Sequence, residues 1–565
     1  MRNLFTRVAG DPNRKKVMQE HQVDMAVLWG DGIGTKEYLG KHLHTLTEGL
    51  RDRYRILVHI EDIDLSEEER LLWENVWVYY IDVARKVWET GRALKMPTTT
   101  FTAKEVMECY GKLEKEYVFP SFEERFGRQE NRDKDYMRGQ MESPNDHLRK
   151  RLHFADIVRP FYAQEGLFSP LGEIGEFTVF DPEEWRNEQM YISIDGQYRR
   201  CLDKRNFQEY VDALLAEAKR TKKNIVVASK HTISPLDRVF CEEIERVAGG
   251  MEVNVQKRLF DSFLPEVIRG DHADVLIACP PDYARILAKL SQARERGVEK
   301  KEEKSLPSDR IIHRIAVGSG YGEIFEEDDH SLWETYTLPQ KELGEALKKA
   351  LNDAQSRRCP VTVVLPGKKD PVSVSMQKFI EDLHDEAYAM GGDSPSLEYT
   401  SLGSLAAELV QNPLSSKYQV LLMPNNLGDF LSDLLPQIYY GTIRPKPAVL
   451  GIPEGYVHVG ESEDGKPEVV FADPSTGTAP GLATPVMQSK IVPAGMILAF
   501  SHILEDPRLD PLVNHIGTSI RRATLELLAE DPARESYADF STQILNRIQG
   551  MSAEHLKKTP IGKRR

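Results

Sequence analysis

Asp429 and Asp433 lie four residues apart in the segment Pro424-Asn425-Asn426-Leu427-Gly428-Asp429-Phe430-Leu431-Ser432-Asp433-Leu434-Leu435, directly after the apolar run Val420–Met423. Asn-Asn-Leu-Gly supplies a turn, and the residues after it are compatible with a helix. Both carboxylates then leave one helix face, where they repel unless a cation lies between them. Hard oxygen donors of this kind suit Mg²⁺ or Mn²⁺. Taken alone, the pair is equally an acidic helix start favoured by the backbone dipole. A second cluster is Ser143-Pro144-Asn145-Asp146-His147-Leu148-Arg149, followed by Val158-Arg159-Pro160. Its guanidinium forks match carboxylates two bonds at a time, so it could cradle a polycarboxylate, or else form ordinary surface ion pairs. Gly30-Asp31-Gly32-Ile33-Gly34 after the run Met25–Trp29 is a turn that lets backbone approach a ligand or a neighbouring element. It is not the Gly-x-Gly-x-x-Gly dinucleotide fingerprint. A second glycine-bearing turn, Ser475-Thr476-Gly477-Thr478-Ala479-Pro480, lies towards the C-terminus.

The elements that must position these groups alternate between strand and helix. Met25–Trp29, Asn224–Ala228, Val275–Ala278, Val361–Leu365 and Val420–Met423 read as buried strands. Phe207–Lys219, Lys341–Ala354 and Val374–Ala387 read as amphipathic helices, which implies sheets covered by helices. Lys112–Ser143 is crowded with charge and reads as a surface insertion; Gln292–Lys304 reads as a solvated connector or exposed helix. An order of strand, helix, short helix, strand, helix occurs twice. Asn224–Val227, Phe240–Ala248, Phe260–Ile268 and Asp274–Ala278 are followed by Val361–Val364, Gln377–Ala387, Leu402–Val410 and Gln419–Met423. Equivalent positions stand 142 residues apart for Asp261/Gly403 and 145 for Val275/Val420, the drift that a duplication with short insertions leaves.

Composition sets outer limits. A chain of 565 residues exceeds one ordinary core, so two or three domains are expected. Hydrophobic residues at 40% and charged residues at 29% fit a globular protein rather than a disordered or membrane one. No apolar run approaches the ~20 residues of a spanning helix, and Met1–Gly10 lacks the apolar core of a secretory signal. A net charge of −15 argues against nucleic acid as the main partner, and the basic end Lys557–Arg565 reads as a solvated tail. The five scattered cysteines, Cys109, Cys201, Cys241, Cys279 and Cys359, show no zinc spacing and suit a reducing compartment. The cytoplasm is the simplest location, with an organelle matrix as the alternative.

Gly30–Gly34, Thr98–Thr100, Ser143–Arg149 with Arg159, Gly428–Asp433 and Gly477–Pro480 occur in an order that resembles the β-decarboxylating dehydrogenases, the isocitrate and isopropylmalate dehydrogenase family. The resemblance runs from Gly30 to about Leu504, with the insertion after Thr100 and the extra repeat as departures. It implies an α/β fold with a discontinuous large domain, residues 1–164 and 444–550, and two tandem small-domain copies, 165–300 and 301–443, ahead of a basic tail, 551–565. It implies metal-dependent, NAD- or NADP-linked oxidative decarboxylation of a 2-hydroxy polycarboxylic acid. Ser143, Asn145, Arg149 and Arg159 match the substrate series of the isocitrate branch, so isocitrate or a close analogue is expected. Arg314 and, seven residues later, Tyr321 match a substrate arginine and a catalytic tyrosine. Lys230 and Asp261 match a lysine and an aspartate that a partner subunit supplies in family dimers.

By the same resemblance, Asp261, Asp429 and Asp433 hold the metal, and Lys230 assists removal of the hydroxyl proton, with its pKa lowered by neighbouring cations. Tyr321 then protonates the enolate. The two copies differ in complementary ways. The second has Gly403 for Asp261, and only Lys368 and Lys369 lie near the lysine position; the first has Arg285 and Lys289 for the helix aspartates, and Pro170 for the arginine ahead of Phe177. One composite site in each chain, active as a monomer with further oligomerisation open, is therefore expected. Nucleotide contacts fall on Thr98, Thr99, Thr100, Thr476, Gly477, Thr478, Ala479 and Pro480. Here the sequence departs from the family: Thr476 replaces a histidine, Gly481 and Leu482 match neither the NAD nor the NADP signature, and Val492 replaces an asparagine. A relative acting on another substituted malate or tartrate, and a non-catalytic polycarboxylate- or protein-binding relative, are the alternative readings.

Overall fold

The structure is a computed structural model. It describes residues 20–72, 76–99, 144–154, 156–162, 176–180, 191–194, 197–231, 234–251, 253–270, 272–296, 309–315, 324–337, 340–367, 371–388, 394–413, 415–440, 454–457, 469–474, 489, 491–531, 534 and 536–558. The insertion 112–143, Ser143, Thr100, Tyr321, Thr476–Pro480, Cys109, Pro170, Lys368, Lys369, Gly481 and Leu482 lie outside these residues.

The chain begins with β1 (His21–Trp29), α1 (Leu39–Tyr54), β2 (Ile56–Asp64), α2 (Glu67–Leu72), α3 (Val76–Thr90) and β3 (Arg92–Lys95). Helix α4 (Pro144–Arg151) and strand β4 (Asp156–Phe161) follow. A first segment holds β5 (Phe177–Val179), β6 (Tyr191–Ile194), β7 (Gln197–Asp203), α5 (Lys204–Thr221), β8 (Asn224–Ser229), α6 (Pro235–Ala248), β9 (Val255–Leu259), α7 (Phe260–Arg269), β10 (His272–Ala278) and α8 (Pro281–Arg296). A second holds β11 (Arg310–Ile315), β12 (Ile324–Glu327), β13 (Ser331–Thr337), α9 (Gln340–Arg357), β14 (Val361–Leu365), α10 (Pro371–Tyr388), β15 (Leu397–Ser401), α11 (Leu402–Gln411), β16 (Val420–Met423) and α12 (Asn425–Tyr440). The chain then adds β17 (Glu454–Val457), β18 (Val470–Asp473), α13 (Ala494–Leu504), α14 (Pro511–Glu530) and α15 (Phe540–Lys558).

The architecture is mixed α/β. A ten-stranded sheet runs β15-β14-β16-β11-β4-β17-β18-β3-β1-β2. Its two flanks are parallel, and the reversals of direction fall at β17 and β4 in the middle. Helices cover the flanks because the strands carry near-continuous apolar runs that need burial on both faces; β14 and β16 are buried along their whole length. Turn Gly30–Gly34 approaches a neighbouring element: a Cβ on Gly30 would lie 1.7 Å from the Pro97 carbonyl oxygen. Asp31 in that turn accepts the Thr99 N–H at 2.8 Å and the Thr99 hydroxyl at 2.7 Å, and Arg70 donates to it at 3.1 Å.

The two segments share one topology. The first forms its own sheet, β5-β10-β8-β9, and the second has the order β11-β16-β14-β15 within the large sheet. Three of the four equivalent helix pairs match in length, 18 residues for α5 and α9, 10 for α7 and α11, 16 for α8 and α12, while α6 has 14 and α10 has 18. Hairpins β6–β7 and β12–β13 join into a third sheet through β7 and β13, each of seven residues. Their antiparallel register pairs Gln197 with Thr337 and Asp203 with Ser331, so the middle residues Arg200 and Glu334 meet. Helix α7 lies against α12, and α8 against α11, which are the same contact with the segments exchanged. This is the self-complementary form of contact found at two-fold interfaces. Phe260, Phe263 and Leu264 of α7, Leu287 and Leu290 of α8, Leu402 and Leu405 of α11, and Phe430 and Leu434 of α12 are buried together there. Each such side chain contributes about 1.5–3 kcal/mol on burial.

The second segment is tied to β4 by a buried charge. His313 on β11 meets Asp156 of β4 at 2.8 Å and Asp353 of α9 at 3.1 Å. Burial pulls its pKa down, but the two carboxylates outweigh burial and hold it up at about 9. A histidine raised in this way contributes stability that is fully present below its unfolded value of 6.5 and is lost as pH rises through about 9. Thermal melts from pH 6 to 10 are expected to show this decline, with His313→Gln flattening it by up to about 3 kcal/mol.

Candidate functional site

Helix α12 starts immediately beyond β16, and its residues fall on two faces. Leu427, Phe430, Leu431, Leu434, Leu435 and Ile438 pack into the core between the segments. Asn425, Gly428, Asp429, Ser432 and Asp433 recur at the complementary spacing of three and four, so they share the other face. Asp429 is in the second turn of the helix, beyond the first turn where the backbone dipole acts. The Phe430 ring stacks on Phe260 at 5.0 Å, and Phe260 stacks on Tyr283 at 4.4 Å. Residues next in sequence to Asp429 and Asp261 thus pin α12 to α7. The side chains of Asp261 and Asp433 lie outside the described residues, although their backbones belong to these packed helices.

Three cations from separate parts of the chain converge on the Asp429 carboxylate. Arg314, at the end of β11, donates to it directly and also donates to Asn425 at 2.5 Å. Arg159, on β4, lies at 3.5 Å and donates to the Ser432 hydroxyl. That hydroxyl in turn donates to the Asp429 carbonyl at 2.8 Å. Lys230, in the loop between β8 and α6, reaches the other carboxylate oxygen at 4.0 Å. Arg314, Lys230 and Arg159 are 0%, 4% and 5% exposed. Burial of this degree in cations demands opposite charge close by. Asp429 supplies part of it.

A second buried pair flanks the arginines. Lys95, at the end of β3, lies 3.5 Å from Asp473 at the end of the adjacent parallel strand β18 and donates to the Met96 carbonyl at 3.0 Å. Burial pulls Lys95 down and pushes Asp473 up, each opposed by the charge of the other; Arg149 and Arg159 add to the pull on Asp473. Arg149, on α4, is buried, and Asn145 on the same helix is half-buried. Thr98 and Thr99 follow β3, and the segment holding Thr476–Pro480 follows β18. Thr98 and Thr99 thus stand at the C-terminal end of a strand that pairs in parallel with β1 and β18. The hydroxyl and N–H of Thr99 are already engaged by Asp31.

Of the residues singled out by sequence, Lys230, Arg159, Arg314 and Asp429 come together. Among the described residues no group of three or more histidine, cysteine, aspartate or glutamate side chains gathers to hold a metal. The Asp429 carboxylate is a hard oxygen donor of the kind a divalent cation takes.

Strand register fixes two equivalences between the segments, one of which differs from the count made on the sequence. Leu276 pairs with Thr178 and Leu421 with Ile312, so Phe180, rather than Pro170, stands where Arg314 does. Spacing counted back from an aromatic residue missed this because pairing, not loop length, fixes register. Likewise Val275 pairs with Asn224 and Val420 with Val361, which makes Gly367 the counterpart of Lys230.

Sequence reasoning gave no individual site role to Asn425, Gly428 or Ser432, although they lie in the motif it singled out, and passed over Lys95 and Asp473. The helical spacing around Asp429 carried a signal for the first three. A Cβ on Gly428 would lie 2.2 Å from Cγ of the buried Arg314 stem. Gly428→Ala is therefore expected to displace Arg314 from Asp429 and to destabilise the chain by about 1–3 kcal/mol in urea unfolding. Lys95→Met and Asp473→Leu should each destabilise the chain in urea unfolding, with a coupling of about 1–3 kcal/mol between them.

No family model matches this sequence, and no curated protein matches it. Among solved structures, one similar chain is the apo form of the beta-decarboxylating dehydrogenase TK0280 from Thermococcus kodakarensis. The identity is 14% and the TM-score 0.47, over 96% of this chain and 100% of that one. At that level the likeness bears on neither fold nor function.

Proposed function

We propose that this chain oxidises and decarboxylates a 2-hydroxy polycarboxylic acid, isocitrate or a close analogue, with a divalent metal and NAD or NADP. The observation that carries the reading is the convergence of Lys230, Arg159 and Arg314 on Asp429 from three stretches of chain. A buried array of cations beside a helix-borne carboxylate suits a ligand that brings several carboxylates and a metal together. Arg149, Arg159 and Arg314 would bind and orient the substrate carboxylates. Lys230 would take the hydroxyl proton, and Tyr321 would return a proton to the carbon that loses CO₂. Asp429, with Asp433 and Asp261, would hold Mg²⁺ or Mn²⁺, which supplies Lewis-acid polarisation when bound. Thr98–Thr100 and Thr476–Pro480 would hold the nucleotide, which accepts hydride when bound.

The two segments are best understood as copies of one small domain, with the partner surface of an ancestral dimer now inside the chain. Their shared strand order, the equal lengths of three of their four helix pairs and the pairing of Arg200 with Glu334 support this. Lys230 and Asp261 then come from one copy, and Arg314, Tyr321, Asp429 and Asp433 from the other.

Purified chain with Mn²⁺ and isocitrate, or a panel of substituted malates and tartrates, is expected to reduce NAD⁺ or NADP⁺. No reduction of either nucleotide with any acid in the panel sinks the proposal. Lys230→Met and Tyr321→Phe chains are each expected to be impaired and to stay so after mixing. Activity regained on mixing would mean that the site is shared between chains.

A further inference from the structure

We propose that Asp237 is a positioning residue for Lys230, a role that rests on the reading of Lys230 as the proton-transferring lysine. Asp237 is fully buried in the first turn of α6, and its carboxylate accepts the Lys230 N–H at 2.9 Å. The Ser234 N–H donates to the Lys230 carbonyl at 2.9 Å, and the Asp237 N–H donates to the Ser234 hydroxyl at 3.1 Å. Both backbone groups of Lys230 are thus held by the start of one helix. With the backbone fixed, the Lys230 side chain leaves the loop from a set place and in a set direction, on the side of Asp429.

The second segment supplies an internal control. There Gly367, the counterpart of Lys230, donates its N–H to the Ser373 hydroxyl near the start of α10 at 3.2 Å. The loop tie is the same, but a hydroxyl replaces the carboxylate and there is no side chain to aim. A hydroxyl therefore suffices to close the loop. A buried carboxylate costs more to desolvate and accepts a shorter, stronger bond. It occurs in the segment whose loop carries the lysine. The tie acts through Lys230 and requires no contact between Asp237 and substrate.

The test uses the full-length chain, with kcat, KM and thermal unfolding measured for wild type, Asp237→Ala and Asp237→Ser. Asp237→Ala is expected to lower kcat by about 30-fold or more, the scale of a small misplacement of a reacting group. KM for the hydroxy acid should stay within about threefold, because the arginines are untouched. Asp237→Ser, which restores an acceptor of the kind used by Gly367, should recover most of the kcat. Asp237→Cys, close in volume but a weak acceptor, carries the same expectation as alanine if the alanine variant fails to fold. Wild-type kcat in a folded alanine or cysteine variant overturns the proposal, and so does a serine variant as impaired as alanine. A wild type without turnover removes the parent reading and this role with it, whereas an active wild type with insensitive variants overturns this role alone.

Discussion

The carboxylate of Asp429, beside Arg314, Arg159 and Lys230, is the interaction on which the rest of the structure depends. None of these cations reaches that point by local sequence. Arg159 needs β4 placed beside β11, Arg314 needs β11 placed beside β16, and Lys230 needs the whole first segment docked against the second. Buried guanidinium and ammonium groups lose solvation that a single carboxylate cannot fully replace. The proposed multiply charged ligand follows from that concentration of buried positive charge.

The docking is hydrophobic and nearly symmetric. Helices α7, α8, α11 and α12 bury their apolar stripes against one another, while β7 and β13 close the far side by main-chain pairing. Such an interface holds the two halves of the site together alongside the site's own charges. The Phe260–Phe430 stack joins the two roles, since it is part of the apolar contact and neighbours the residues that carry the carboxylates.

Much of this was legible in the sequence, for reasons that differ by element. Apolar runs such as Val361–Leu365 and Val420–Met423 can only be buried strands when amphipathic helices separate them, so the α/β class followed from pattern. The i, i+4 spacing fixed Asp429 and Asp433 on one face whatever the tertiary structure. The Lys95–Asp473 pair was not legible, because 378 residues separate two groups that meet only through strand adjacency. Nor was Gly428, whose importance arises from the passage of Arg314 over it. The Pro170 equivalence failed because it counted residues through a loop, where strand pairing sets position instead.

The central claim is that two segments of one chain build a single carboxylate-centred site. Titration of the purified chain with Mn²⁺ in the presence of the hydroxy acid tests it most directly, read by electron paramagnetic resonance of free Mn²⁺. One Mn²⁺ per chain, lost in Asp429→Asn, is the outcome the account predicts. Two per chain, or binding that survives Asp429→Asn, would contradict it.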